Sequence, residues 1–406
     1  MIKKIVSSVG IQMIGTLSSL LLVWMIIRFY GASVQGQFVL IKSWIDLVVV
    51  SVSFGLPQSF IYAINKLNVS WEDLRQRTFI YIPFIWILGY VATYVWFEYF
   101  QSQKFLSILN YILIAITIGN LTGFFLLRSL YLTKNDGNKF ALISIMPNLS
   151  LFIIYLLSLA VDKKGDSLSL VYMLSSLIAL LFTGISLDKH KSADNISNKN
   201  PVPWKNIFSN GMNVFIQNIF GALMPLGTYW LMTKYGFNKE EVGVFSIAIY
   251  IYLMFTLPLA MIAPIFYNRW SNSKDFTVVK FEILRFCKIG IFLLPILLIS
   301  YLLVPHILPI VFGKQVIPAI FSAQILLIAT FALYYSTIFS CFLLSQGGFS
   351  VLSKSMILKV IICFVSMDIF LIFFDKSLVL IAFSWTISEV FMTSILLISI
   401  IRKYLR

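Results

Sequence analysis

The chain has 406 residues, of which 59% are hydrophobic and 12% charged, too little polar surface to wrap a soluble particle, whose usual make-up is roughly 45–50% apolar and about 25% charged. A formal charge of +15 would point to nucleic acid in a soluble protein; in so apolar a chain it raises first the question of which side of a membrane the cations occupy. Cys287, Cys341 and Cys363 have neither metal-ligand nor disulfide-framework spacing and read as small packing residues.

The N-terminal Met1-Ile2-Lys3-Lys4 leads into an apolar run that continues to Ile27 without a cleavage-like break, so it reads as a retained span. Apolar runs predict helices near 5–28, 37–64, 78–97, 106–130, 140–160 and 168–187. A second set follows near 207–233, 242–267, 283–304, 317–345, 353–374 and 377–401. Most approach or exceed the roughly 20 residues that cross a bilayer as helix, and the alternating pattern of barrel strands is absent. The expected fold class is all-α and polytopic, with about 12 transmembrane helices in two six-helix bundles, 1–187 and 207–406. The polar stretch between them, 188–206, with Asn195, Asn198, Asn200, Pro201 and Pro203, reads as a cytoplasmic linker.

With the N-terminus cytoplasmic, 22 Lys and Arg fall in cytoplasmic segments, 8 in external loops, and Lys42 alone within a span, which accounts for all 31. This bias places both termini inside. It also explains the basic pI by attraction to an anionic inner leaflet, so no nucleic-acid partner is expected. No loop can fold a catalytic domain of about 50 residues. The two histidines, His190 and His306, stand in loops without acid or nucleophile clusters, so no enzyme is expected. A Gly-rich Lys-Ser/Thr loop is missing, which leaves an ion gradient or the substrate gradient as the motor.

The first two spans and the seventh and eighth show a weak internal repeat. Arg28-Phe29-Tyr30-Gly31 through Phe38 lies against Thr233-Lys234-Tyr235-Gly236 through Phe245 with a two-residue insertion, which pairs Gln12 with Gln217 and Pro57 with Pro264. Both halves start on the same side, so the repeat is parallel, with a pseudo-two-fold axis along the membrane normal.

On these residues the chain resembles a known family. Tyr30-Gly31 with Gly36-Gln37-Phe38, Phe54-Gly55-Leu56-Pro57 with Tyr62, Phe312-Gly313, and Ser345-Gln346-Gly347-Gly348 resemble the Wzx-type flippases of O-antigen and capsule repeat units. Their superfamily, termed MOP, also holds MATE multidrug exporters and the peptidoglycan lipid II flippase. The resemblance implies a V-shaped pair of bundles that alternates between inward and outward openings. Its cargo would be an undecaprenyl-pyrophosphate-linked oligosaccharide moved outward across a bacterial inner membrane. Expected partners are that lipid-linked substrate, membrane lipids, and a polysaccharide polymerase with its chain-length regulator. No cofactor is expected beyond a coupling ion, sodium or proton. A MATE-type cation-coupled multidrug exporter is the alternative; it would favour an acidic, aromatic cavity, against which the N-half cations argue.

Ionisable residues inside spans cost about 2.5–3.5 kcal/mol each on insertion scales and are therefore candidates for function. Lys42 and Asp46 lie four apart on one face of the second span. They are either a self-neutralising pair or a cation for pyrophosphate or acidic sugar, held by Asp46 between cargoes. Their repeat counterparts, Ile249 and Leu253, are apolar, so the fold does not need charge there. Arg28 at the outer end of the first span and Arg128 at the inner end of the fourth either snorkel to headgroups or capture phosphate. Gln12 and Gln217, with Asn120, Asn213 and Asn218, either bind sugar or bond between helices. Related flippases have a cationic cavity, and the resemblance makes Arg28, Lys42 and Arg128 its suppliers here. Asp368 and Glu389 have no basic partner nearby in sequence. Together with Ser384 and Ser388 they match the kinds of residue that couple some family members to an ion, Asp368 being the expected companion of Glu389. The other reading is a buried, protonated carboxyl.

Overall fold

A computed structural model describes residues 2–67, 69–100, 106–132, 137–159, 167–188, 204–272 and 276–402. The expected linker at 188–206 falls almost wholly outside them. The helices are α1 Ile2–Tyr30, α2 Ala32–Ser53, α3 Leu56–Leu67, α4 Trp71–Val95, α5 Ile108–Leu132, α6 Gly137–Ser158 and α7 Leu168–Asp188. They continue as α8 Trp204–Lys234, α9 Lys239–Asn272, α10 Phe276–Ile291, α11 Leu293–Phe312, α12 Ala319–Ser345, α13 Phe349–Phe373 and α14 Leu378–Ile400. No strand occurs among the described residues. Eleven segments are long and apolar enough to cross a membrane, and α9, with 34 residues, matches them in length. The chain is a multi-pass, all-helical membrane protein. Its helices turn large apolar side chains outward, among them Ile80, Phe84 and Ile87 of α4 and Ile310 of α11, as a hydrocarbon solvent requires.

Two predicted spans are broken. The second divides into α2 and α3 at Phe54 and Gly55, both in the left-handed region with φ of 47° and 69°. Phe54 is held there by stacking on Phe215, with ring centroids 4.3 Å apart, and by the edge of Phe208. Tyr81 donates to the Val52 carbonyl at 3.1 Å, satisfying one of the acceptors that a helix end leaves open. The ninth divides into α10 and α11 at Phe292. Both following helices carry proline in their first turn, Pro57 in α3 and Pro295 in α11, where its missing N–H costs nothing. α2 also begins five residues earlier than predicted, at Ala32, which moves Lys42 to the middle of the helix.

The chain forms two compact units, Met1–Met25 with Leu40–Ala222, and Ile26–Val39 with Leu223–Arg406. They depart from the two sequence halves at two places. The turn between α1 and α2 belongs to the second unit, and the first part of α8 belongs to the first. The first unit packs α5 against α3, α4 and α7 around Phe60, Leu74, Phe124, Leu127 and Tyr131. In the second, α12 lies between α9 and α14, with α13 on α14.

Within the second unit the two repeated hairpins meet. Their turns carry Gly31 and Gly236 at φ of 87° and 81°, the left-handed helix-end conformation that glycine adopts without strain. Beyond the turns α2 and α9 cross at Gly36 and Gly243. A Cβ on Gly36 would stand 1.8 Å from the Lys239 carbonyl oxygen, and one on Gly243 1.9 Å from that of Ala32. Ala32 and Lys239 are themselves matched in the repeat, so the crossing is locally two-fold. A buried bond from Gln35 Nε2 to Ser246 Oγ at 3.1 Å ties it.

Candidate functional site

In the first unit, Trp44 fixes which way α2 faces. Its indole N–H donates to Thr93 Oγ1 at 3.0 Å, and its ring stacks on Trp96 with centroids 4.8 Å apart. Lys42 and Asp46, two positions away on either side, point to the other side of the helix and pair at 2.5 Å, with 32% and 45% of their side chains exposed. A partly exposed ion pair in the middle of a 22-residue apolar helix would be costly against lipid chains, which favours the bundle interior or a cavity for this face of α2.

The guanidinium of Arg128 lies against three rings, Phe124, Phe125 and Phe140, at 6.0, 5.2 and 5.3 Å from their centroids. Such a cation–aromatic setting desolvates the charge without neutralising it. Gln12 and Gln217 are half-buried members of the same unit. Asn120 is buried and donates to Ser176 Oγ at 3.2 Å, which makes it a bond between α5 and α7. Arg28 is exposed beside Gly313 and belongs to the second unit, so it does not share a unit with Lys42 and Arg128.

In the second unit, Glu389 stands at the midpoint of α14 and is paired with Lys359 of α13, both buried. Tyr252 of α9 donates to the same carboxylate oxygen, Oε1, at 2.7 Å, while Oε2 is buried without a hydrogen-bond partner. Two expectations are corrected here. Lys359, counted among the cytoplasmic cations, lies well inside α13, so Lys42 is not alone within a span. Glu389, which has no basic neighbour in sequence, has one in space. Its companion is not Asp368, which lies nine residues further along α13, about 13 Å at 1.5 Å per residue. Asp368 instead accepts from Tyr235 at 2.8 Å. That bond, with burial and the carboxylate's charge behind it, holds the Tyr235 phenol above its usual range. Ser384 and Ser388 are buried and donate to the carbonyls of Leu380 and Trp385 in their own helix. Among the described residues no cluster of three or more His, Cys, Asp or Glu could hold a metal.

The lysine was detectable in principle. Ile357-Leu358-Lys359-Val360-Ile361 is a single cation inside an apolar run, and it falls within the predicted span 353–374. Nothing in the sequence, however, links it to a carboxylate 30 residues away.

This architecture occurs among solved transporters. An inward-facing multidrug resistance MATE family transporter of the MOP superfamily superposes with a TM-score of 0.76 at 14% identity, over 98% of each chain. The fold is that of the MATE transporters. A MATE in complex with MaL6 has the same fold, with a TM-score of 0.75 and 16% identity over 98% of this chain and 96% of that one. So has a MOP superfamily transporter from Pyrococcus furiosus, described as having a binding pocket of reverse polarity that suggests a different function. Its TM-score is 0.69 at 15% identity over 99% of this chain and 96% of its own. No family model and no curated protein matches the chain. At such identities the MATE likeness describes the backbone, and the charges inside it must be read from this chain alone.

Proposed function

We propose that the protein is a transporter that moves a lipid-linked, pyrophosphate-bearing oligosaccharide across a bacterial inner membrane, with both termini cytoplasmic. The reading rests on the partly exposed Lys42, paired with Asp46 at the middle of the apolar helix α2. Asp46 neutralises it at rest; exchanged from Asp46 onto a pyrophosphate or acidic sugar, the Lys42 ammonium suits an anionic cargo rather than a cationic drug. Arg128, desolvated among three phenylalanines, is a second cation suited to phosphate, and Gln12 and Gln217 are amides suited to sugar. Arg28, exposed in the second unit, is a third cation suited to phosphate or headgroups. The MATE fold supports alternating access as the mechanism, and the MOP transporter from Pyrococcus furiosus shows that the fold is not tied to one pocket polarity. Polymerase and chain-length regulator are the partners such a cargo would meet at the outer face.

The test is reconstitution of the purified protein into proteoliposomes loaded with a fluorescent undecaprenyl-pyrophosphate oligosaccharide. The expected result is protein-dependent arrival of the label at the opposite leaflet, weakened by Lys42→Ala. Efflux of a cationic dye with no movement of the lipid would establish the multidrug exporter instead.

Coupling belongs to the second unit in this reading. Asp368, Glu389, Ser384 and Ser388 are its candidate groups, with Lys359 and Tyr252 now added to them.

A further inference from the structure

Lys359 and Glu389 form an ion pair near the middle of two packed helices. Among the described residues, these groups lie around that carboxylate. Lys359 and Tyr252 reach Oε1 from α13 and α9. Cys363 lies one turn beyond Lys359 and is buried. Ser388, next to Glu389, is turned to its own helix. One positive and one negative charge therefore sum to zero where both side chains are buried. An alkali-metal ion entering beside the pair would leave an unbalanced charge there, at a cost of several kcal/mol even after relaxation. A hard cation also needs several oxygen ligands, and here one carboxylate oxygen is already taken twice.

From this geometry we infer that Lys359 is a tethered cation. Its ammonium fills the place that a sodium ion would take on Glu389, so this carboxylate binds no sodium and transport draws on no sodium gradient through it. The second clause rests on the transporter reading; the first concerns binding alone. Removing one member of a buried pair leaves an uncompensated charge, which is strongly unfavourable. When the missing member is Lys359 the replacement is a proton or a small mobile cation, so the variants are compared at alkaline pH, where the proton competes least.

The experiment uses purified full-length protein in detergent, with thermal unfolding and radiolabelled sodium binding measured in sodium chloride and in choline chloride at equal ionic strength. The wild type is expected to unfold at the same temperature in both salts and to bind no sodium that Glu389→Gln removes. Lys359→Met is expected to unfold at a lower temperature in choline and to regain stability saturably with sodium. The double variant Lys359→Met with Glu389→Gln should lose that sodium response. A merely structural pair would leave Lys359→Met destabilised equally in both salts, and that result overturns the inference. So does sodium binding by the wild type that depends on Glu389, an arm that stands even if Lys359→Met does not fold. Because neither readout requires lipid movement, failure of the flippase reading and failure of this one are separately visible.

Discussion

Trp44 and Lys42 lie about 200° apart around α2, two residues at 100° each, so the anchoring of one determines the outlook of the other. The pair Lys42–Asp46 is exposed enough that its own contribution to stability is at most about 1 kcal/mol. Lys42→Ala should therefore leave the amount of protein in the membrane near normal while lowering export of surface polysaccharide, measured on whole cells. The double change with Asp46→Ala is the control, since full recovery of export would make the pair structural. A second expectation concerns Glu282, which accepts from the buried Trp270 indole at 2.9 Å and from Arg269 on its other oxygen. Glu282→Ala strands a buried N–H and should cost about 1–3 kcal/mol in thermal unfolding. Arg269→Ala, at a side chain 67% exposed, should cost less than about 1 kcal/mol. At this scale the sequence reveals pairs made within one helix and hides those made between helices. Lys42 and Asp46 could be paired by their spacing of four, whereas Tyr252, Lys359 and Glu389 converge from three helices. A single lysine among isoleucines and leucines also barely lowers a window average, so Lys359 was legible as a residue and not as a partner.

Helix breaks follow the same logic. Phe54 and Phe292 are as apolar as their surroundings, so a hydropathy reading runs through both, and the better local signal was proline in the next first turn. The repeat, by contrast, was legible, because its turns need left-handed backbone and its crossing needs an absent side chain. At that crossing an added methyl group meets backbone on both sides and no flexible side chain can yield. Gly36→Ala and Gly243→Ala should each destabilise by about 3 kcal/mol or more, at or beyond the upper end for overpacking, and reduce the monodisperse peak in size-exclusion chromatography. Gly10→Ala, with nothing within 4 Å of its added Cβ, is the matched control. If all three behave alike, the crossing is not a tight contact.

For the molecule as a whole, the membrane class and the approximate number of spans were legible because hydrocarbon thickness dictates a length and a composition. That Ile26–Val39 packs with the second unit and the first part of α8 with the first was not, because hydropathy carries no record of which helix a segment packs on. The distribution of cations, 21 to 8 once Lys359 is placed inside α13, makes a separate prediction about orientation. In a background lacking Cys287, Cys341 and Cys363, a cysteine at Asp375, in the turn between α13 and α14, should react with an impermeant thiol reagent on intact cells. One at Asp73, in the first turn of α4, should be shielded until the membrane is opened. Labelling of Asp73→Cys alone would invert the topology. The crossing of α2 and α9 also bears on ancestry. When a gene segment is copied, the two descendants are ordinarily free to drift, and Lys42 beside its counterpart Ile249 shows how far these have gone. At Gly36 and Gly243 that freedom is withheld, because the space each copy leaves empty is filled by the backbone of the other. A change in either codon is thus felt by both copies at once, so neither position can be released from its glycine by a substitution in its twin.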